Sequence, residues 1–169
     1  ALSYLLGSIP WGYLLLYLRR GVDVREYGSG RTGMTNVLRT GGGKLAVAVL
    51  ALDLGKGILA VQLGRVVVGP TQAEVAAGLF VLVGHNWPVF LQFRGGRGIL
   101  TGLGGLSIMA PIPAAIAAVA FVFTTLFSRY VSLGSIIGVV IAFLSVLTLA
   151  LAGVYSNTYT LYAFLGGAI

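Results

Sequence analysis

From Leu45 to Gly64 the chain runs LAVAVLALDLGKGILAVQLG, in which only Asp53, Lys56 and Gln62 are polar. A helical membrane crossing needs about 20 predominantly apolar residues, and this run is one of several. Runs of the same character cover about 1–18, 75–92, 131–152 and 154–169. A further apolar stretch from Ile99 to Phe127 is interrupted by Pro111 and Pro113. It is too long for one crossing and too short for two full ones, so it reads as two short helices, 99–110 and 112–128, meeting at a proline turn. Only 9% of the residues are charged, against about 25% in soluble domains. Too little charge remains to cover a water-facing surface. The expected fold is all-α: one polytopic integral membrane domain spanning 1–169, with about seven helices.

The charges set the expected orientation. With the N-terminus outside and seven alternating passes, Arg19, Arg20, Arg25, Arg31, Arg39, Lys44, Arg94, Arg97 and Arg129 fall on the cytoplasmic side. That is nine of the eleven basic residues, a strong positive-inside bias. The first run has its arginines after the apolar stretch, not before it, so it reads as a span and not as a cleaved signal. Both termini lie inside apolar runs and read as trimmed.

With no cysteine, disulfides and thiolate metal sites are excluded. A single histidine, His85, argues against a histidine metal cluster. A net charge of +7 would suggest nucleic acid in a soluble protein; here it is read as loop charge plus an anionic ligand. No metal, cofactor or nucleic acid is expected, and a monomer is the expected state.

Polar residues concentrate in two loops on the expected cytoplasmic side. The first contains GSGRTGMTNVLR, residues 28–39. Its glycines, Gly28 and Gly30 among them, allow positive φ and close backbone approach to a ligand, and successive N–H groups could form an anion-binding nest. Ser29, Thr35 and Asn36 add neutral donors, and Arg31 and Arg39 add guanidiniums suited to bidentate phosphate contacts. The bland reading is a flexible loop whose arginines serve topology only.

The second segment is GHNWPVFLQFRGGRG, residues 84–98. Pro88 cannot donate to the carbonyl of Gly84, so the helix must bend or stop beside His85 and Asn86. Arg94-Gly95-Gly96-Arg97-Gly98 then repeats the chemistry of the first loop, and a helix starting at Ile99 would add its N-terminus to an anion site. Asp53 and Lys56, three residues apart on one helical face, would each cost about 2.5 to 3.5 kcal/mol unpaired at mid-membrane. They should pair as a structural lock, or Lys56 should reach the site. Ser132 and Ser135 are expected near the start of the sixth span, where serine usually caps. Tyr4, Tyr13, Trp11 and Trp87 read as interfacial anchors.

YLLGSIPWGYLL at 4–15, the GSG-x-x-G-x-TNVLR loop, DLGKG at 53–57, GHNWPVFLQFRGGRG and RYVSLGSI at 129–136 follow one another in an order that resembles the bacterial acyl-phosphate:glycerol-3-phosphate acyltransferases. The resemblance covers about residues 4–137. It implies a seven-helix enzyme of the bacterial inner membrane with its site at the cytoplasmic face. Its substrates would be acyl-phosphate and glycerol-3-phosphate, and its products lysophosphatidic acid and phosphate. It also implies that Ser29 and Arg39 matter for activity, and that Gly95, Gly96 and Gly98, with Arg97 among them, belong to glycerol-3-phosphate binding. Arg31 stands where the family commonly has asparagine, Met34 where alanine is usual, and the family's short motif after the last span is not in this sequence.

An acyl-phosphate is already activated, so no covalent enzyme nucleophile is required. The reaction needs two anions held together and a proton acceptor. The catalytic candidates are Ser29, Asn36, Arg39, His85 and Arg97. Gly28, Gly30, Thr35, Lys56 and Asn86 are candidates for substrate binding, with Gly95, Gly96, Gly98 and Ser135. Either His85 or a substrate phosphate oxygen could accept the proton. An anion transporter would instead place polar groups through the whole membrane depth. A Ser29/His85 intramembrane protease would bury its serine among helices.

Overall fold

The computed structural model describes residues 1–169, and every regular element in it is helical. In chain order these are α1 (Leu2–Gly7), α2 (Trp11–Arg20), α3 (Met34–Gly41), α4 (Gly43–Val67), α5 (Gln72–Asn86), α6 (Ile99–Met109), α7 (Pro111–Ser128), α8 (Val131–Leu151) and α9 (Asn157–Ala168). Four segments, Gly43–Val67, Gln72–Leu91, Pro111–Ser128 and Val131–Leu151, are long and apolar enough to cross a membrane. The apolar stretch after Gly98 is two helices, which part at Ala110 with Pro111 opening the second. Proline is tolerated there because a first-turn N–H has no intrahelical partner.

The first apolar run departs from expectation. It is broken at Ser8–Pro10 into α1 and α2. Pro10 has no N–H to continue the ladder, and Lys56 from α4 caps carbonyls left open at the break. Its buried ammonium donates to the carbonyls of Gly7 and Ile9, each at 3.0 Å.

Helices pack closely where glycines remove the side chain. A Cβ at Gly57 would lie 2.1 Å from the Thr101 carbonyl oxygen, which brings α4 against α6 backbone to backbone. Gly84 does the same for α5 against α1, where a Cβ would meet the Tyr4 carbonyl at 2.2 Å. In lipid, where burying apolar surface gains little, such close contact is the main source of helix association. A core of Val61, Val75, Leu82, Leu106, Met109, Val146 and Tyr162 joins α4, α5, α6, α8 and α9.

One end of the bundle is fastened by a polar knot. The buried Glu74 carboxylate accepts from Arg65 Nε and from the Tyr159 hydroxyl, and Arg65 also donates to the Ile108 carbonyl at 3.1 Å. A buried carboxylate is tolerated only when paired and hydrogen-bonded; here it joins α4, α5, α6 and α9. From that end α9 runs alongside α5. Tyr159 meets Glu74, the Tyr162 ring lies against Gly78, Gly166 faces Leu82, and Asn86 Nδ2 donates to the Ile169 carbonyl at 3.0 Å. Both helices therefore point toward the opposite end, where the two polar loops lie.

Candidate active site

The first loop is built around Asn36, whose amide lies in the first turn of α3. Its Nδ2 contacts the carbonyls of Val24, Tyr27 and Arg31 at 2.9 to 3.0 Å, and its Oδ1 accepts from Ser29 N at 3.1 Å. A side-chain amide has two donor hydrogens, and both are used by the loop. Asn36, expected to act on substrate, borders the cavity described below and spends its amide as a strut of the loop. The expected nest is also spent internally, since Ser29 N is held by Asn36 and Gly30 N by the Tyr27 carbonyl. Gly28 (φ 55) and Gly30 (φ 68) shape the turn, and a Cβ at Gly28 would strike Asn36 Oδ1 at 2.3 Å.

The second loop begins where Pro88 ends α5. Gly95 N donates to the Asn86 carbonyl and Gly96 N to the His85 carbonyl. A Cβ at Gly95 would lie 2.1 Å from the His85 carbonyl oxygen, and one at Gly96 would lie 2.0 Å from His85 Nε2. These two glycines, expected to hold glycerol-3-phosphate, let the loop lie against His85. Gly98, at φ 70, turns the chain into α6.

These two loops converge. A cavity of about 290 Å³ is bordered by Ser29, Thr35 and Arg39 from the first loop and α3, and by His85, Arg97 and Gly98 from the second. Asp53 borders it from α4, and Arg129, Ser132, Ser135 and Phe121 complete the wall from α7 and α8. Four arginines, Arg31, Arg39, Arg97 and Arg129, therefore border one space. The first turns of α3 and α6 border it too, through Gly33, Met34, Ile99 and Leu100, so the positive ends of two helix dipoles add to the arginines.

Asp53 and Lys56 are both buried, with Lys56 Nζ 3.0 Å from Asp53 Oδ1. Lys56 spends its donors on Asp53, Gly7 and Ile9 and does not border the cavity, so the expectation that it reaches the ligand fails. His85 Nδ1 lies 3.6 Å from Asp53 Oδ1, close but beyond hydrogen-bond length. Asn86 lies beside a neighbouring cavity, tied to Ile169. Ser135 borders the site but its hydroxyl donates back to the Val131 carbonyl, and α8 starts after Tyr130 with no side-chain cap, so neither Ser132 nor Ser135 caps it.

Asp53, Arg129 and Phe121 are among the cavity residues not singled out from the sequence as ligand contacts. Arg129 carried a signal only for topology; in the structure it takes φ 61 at the α7 C-cap, which turns it toward the site.

A second, apolar groove joins the first cavity. It is bordered by Leu103, Leu106, Ala118, Gly138, Val139 and Tyr162 and shares Arg97, Gly98, Ile99, Leu100, Phe121 and Ser135 with the polar cavity. Toward the knotted end the strongly polar side chains, Arg65, Glu74 and Tyr159, bind one another. No charged path continues through the bundle, as a transporter would need.

Comparison with known proteins agrees with this geometry. The family model described as glycerol-3-phosphate acyltransferase matches residues 1–168. Glycerol-3-phosphate acyltransferase 3 of Dehalococcoides mccartyi (strain ATCC BAA-2266 / KCTC 15142 / 195) is 44% identical over 99% of this chain and 83% of its own length. The glycerol-3-phosphate acyltransferase of Thermoanaerobacter pseudethanolicus is 43% identical over 96% of this chain and 79% of its own. The crystal structure of PlsY (YgiH), an integral membrane glycerol 3-phosphate acyltransferase in its glycerol 3-phosphate form, superposes with a TM-score of 0.90 at 38% identity. That match covers 99% of this chain and 82% of the other. The lysophosphatidic acid form of PlsY gives a TM-score of 0.87 at 37% identity, over 98% and 81% of the two chains.

Proposed function

The chain belongs to the glycerol-3-phosphate acyltransferase family, and on that premise we propose that its arginine-lined cavity transfers a fatty acyl group from acyl-phosphate to the 1-hydroxyl of glycerol-3-phosphate. The observation that carries the reading is the shared wall of the two cavities. A phosphate among the four arginines and a hydrocarbon tail in the apolar groove would place the carbonyl between them, beside Arg97, Gly98 and Ser135.

The hydroxyl oxygen attacks the acyl carbon, the carbon–oxygen bond to phosphate breaks, and inorganic phosphate leaves. Holding both reactants in attack geometry can supply about 7 to 11 kcal/mol of the barrier. The two phosphates repel each other, and the arginines and helix N-termini offset that repulsion. Arg39 and Arg97 are assigned to the phosphates, with Ser29 and Thr35 as neutral donors.

The proton goes to an oxygen of the departing phosphate. His85 borders the cavity, but its Nδ1 faces Asp53 and its Nε2 lies against Gly96. It is better placed to position the second loop than to receive a proton from a ligand. His85→Asn, close to it in size, then keeps measurable turnover; complete loss in a folded variant would return the base to His85.

The reading also takes the loop end to be cytoplasmic, with seven crossings in the bacterial inner membrane, as the basic residues favour. Incubation of purified protein with palmitoyl-phosphate and radiolabelled glycerol-3-phosphate, without added metal, tests the reaction. Labelled lysolipid and stoichiometric phosphate are expected; phosphate release without lysolipid would overturn it.

A further inference from the structure

The loop that carries Arg97 has an unusual surface. Trp87, Val89, Phe90 and Phe93 are all exposed, Phe90 by 62% and Phe93 by 59%. A water-facing loop normally turns such side chains inward, and isolated exposed apolar residues mean little, but here four fall within seven positions of one short loop. Part of the backbone beneath them is bonded from within, while Phe90 N and Gln92 N find no partner in the protein. Leu91 N and Phe93 N donate to the Pro88 carbonyl, Arg94 N to Leu91, Gly95 N to Asn86 and Gly96 N to His85, all within 3.0 to 3.2 Å. The Trp87 carbonyl accepts from the Tyr4 hydroxyl and the Leu91 carbonyl from Arg25 Nη1. Irregular backbone survives in hydrocarbon only when its polar groups are occupied, so the open amides of Phe90 and Gln92 keep the loop's backbone at the headgroup level while its aromatic side chains reach inward.

Helix lengths give an independent measure of depth. Glu74 meets Arg65 at the knotted end, and His85 meets Asp53 eleven residues further along α5 and twelve back along α4. At 1.5 Å per residue that is about 17 to 18 Å from the knot, and tilt only reduces it. Helix α6, with 11 residues, returns over about 16 Å. The hydrocarbon core is about 30 Å thick. Neither stretch by itself is as long as that, whereas α4 continues from Asp53 to Gly43 for roughly another 15 Å.

We propose that residues 87–94 form a wedge inserted into the bilayer leaflet on the loop side, with Phe90 and Phe93 among the lipid acyl chains. The occupant of this apolar patch is lipid: the wedge lies within the depth spanned by α4, and it continues the membrane-facing surface of helices that end beneath it. Arg94, exposed at its edge, can extend its charged head to the headgroups while its stem stays in the apolar layer. The inference rests on the fold and would stand even if the acyl-transfer reading failed.

The test uses a single reporter tryptophan. In a chain carrying Trp11→Phe and Trp87→Phe, Phe90→Trp is reconstituted in vesicles with phospholipids brominated along their acyl chains, with Phe93→Trp as a second reporter position. Phe123→Trp on the exposed face of α7 and Tyr27→Trp in the first loop serve as lipid and water references. The expected result is that Phe90→Trp and Phe93→Trp lose emission to brominated lipid as Phe123→Trp does, and resist iodide. Both reporters following Tyr27→Trp, quenched by iodide and untouched by bromine, would overturn the insertion and leave the patch to a protein partner. Because the readout does not require turnover, it stays distinct from failure of the proposed reaction.

Discussion

The two glycine- and arginine-bearing loops look alike in composition and are built on opposite plans. The first is organised from inside by one side chain, Asn36, with its polar surface outward. The second has no such strut. It rests on the carbonyls of His85 and Asn86 through glycines that must lack side chains, and it turns its aromatic residues outward. Shared composition therefore identifies what both loops offer a ligand, namely arginines around one cavity, but says nothing about how each is held. The difference predicts different failures: the first loop should loosen when a polar bond is removed, the second when an atom is added.

The largest effect should come where the two loops do the same thing. Arg39→Ala and Arg97→Ala, one from each loop, are each expected to lower turnover by about 10²- to 10³-fold, the scale of losing a charge-stabilising donor at a reacting group. Lysolipid formation from palmitoyl-phosphate measures it, and near-normal turnover in both would separate the loops from the chemistry. Next in size is Gly96→Ala. Its new methyl would overlap His85 Nε2, and forcing an atom into a packed site costs about 1 to 3 kcal/mol. Activity should fall steeply while the helical content by circular dichroism is kept.

Asn36→Ala should be milder in rate and clearer in stability. It strips a partner from Ser29 N and from three carbonyls, and an orphaned buried polar group costs about 1 to 3 kcal/mol. A lowered thermal midpoint and a raised KM for the phosphate substrates are expected, with kcat changed less. An equal loss in both loops' variants through kcat alone would erase the contrast drawn here. The smallest effect concerns acid. Arg25 hydrogen-bonds Asp23 and holds its carboxyl below the usual carboxylate range, partly offset by burial. The folded state binds that proton less readily than the unfolded one, so the stabilisation is present above the unfolded value near pH 4 and fades as pH falls through the folded value. The pair is partly exposed, so Asp23→Asn should shift stability at neutral pH by under about 1 kcal/mol. The shift should shrink further in acid, as a thermal melt would show.

Much of the architecture was legible because apolar length and proline position act locally. Helices α4, α7 and α8 follow the long runs, and Pro88 and Pro111 mark real ends. The break at Ser8–Pro10 was less visible, because the group that satisfies it is a lysine on another helix. That both loops are rich in glycine and arginine was readable; that they border one cavity is what the fold adds. The strut role of Asn36 was not readable, since its partners are backbone carbonyls at Val24, Tyr27 and Arg31 that carry no sequence signal. The same holds for Gly95 and Gly96, whose meaning depends on where His85 stands in space.

The knot of Arg65, Glu74 and Tyr159 has a consequence for traffic. It fastens α4, α5 and α9 to one another at the end remote from the arginine-lined cavity. A single-tailed product would then depart edgewise between helices, keeping its chain in hydrocarbon throughout while its head slips into the aqueous boundary. On this account the molecule works as a one-sided berth at the bilayer's rim.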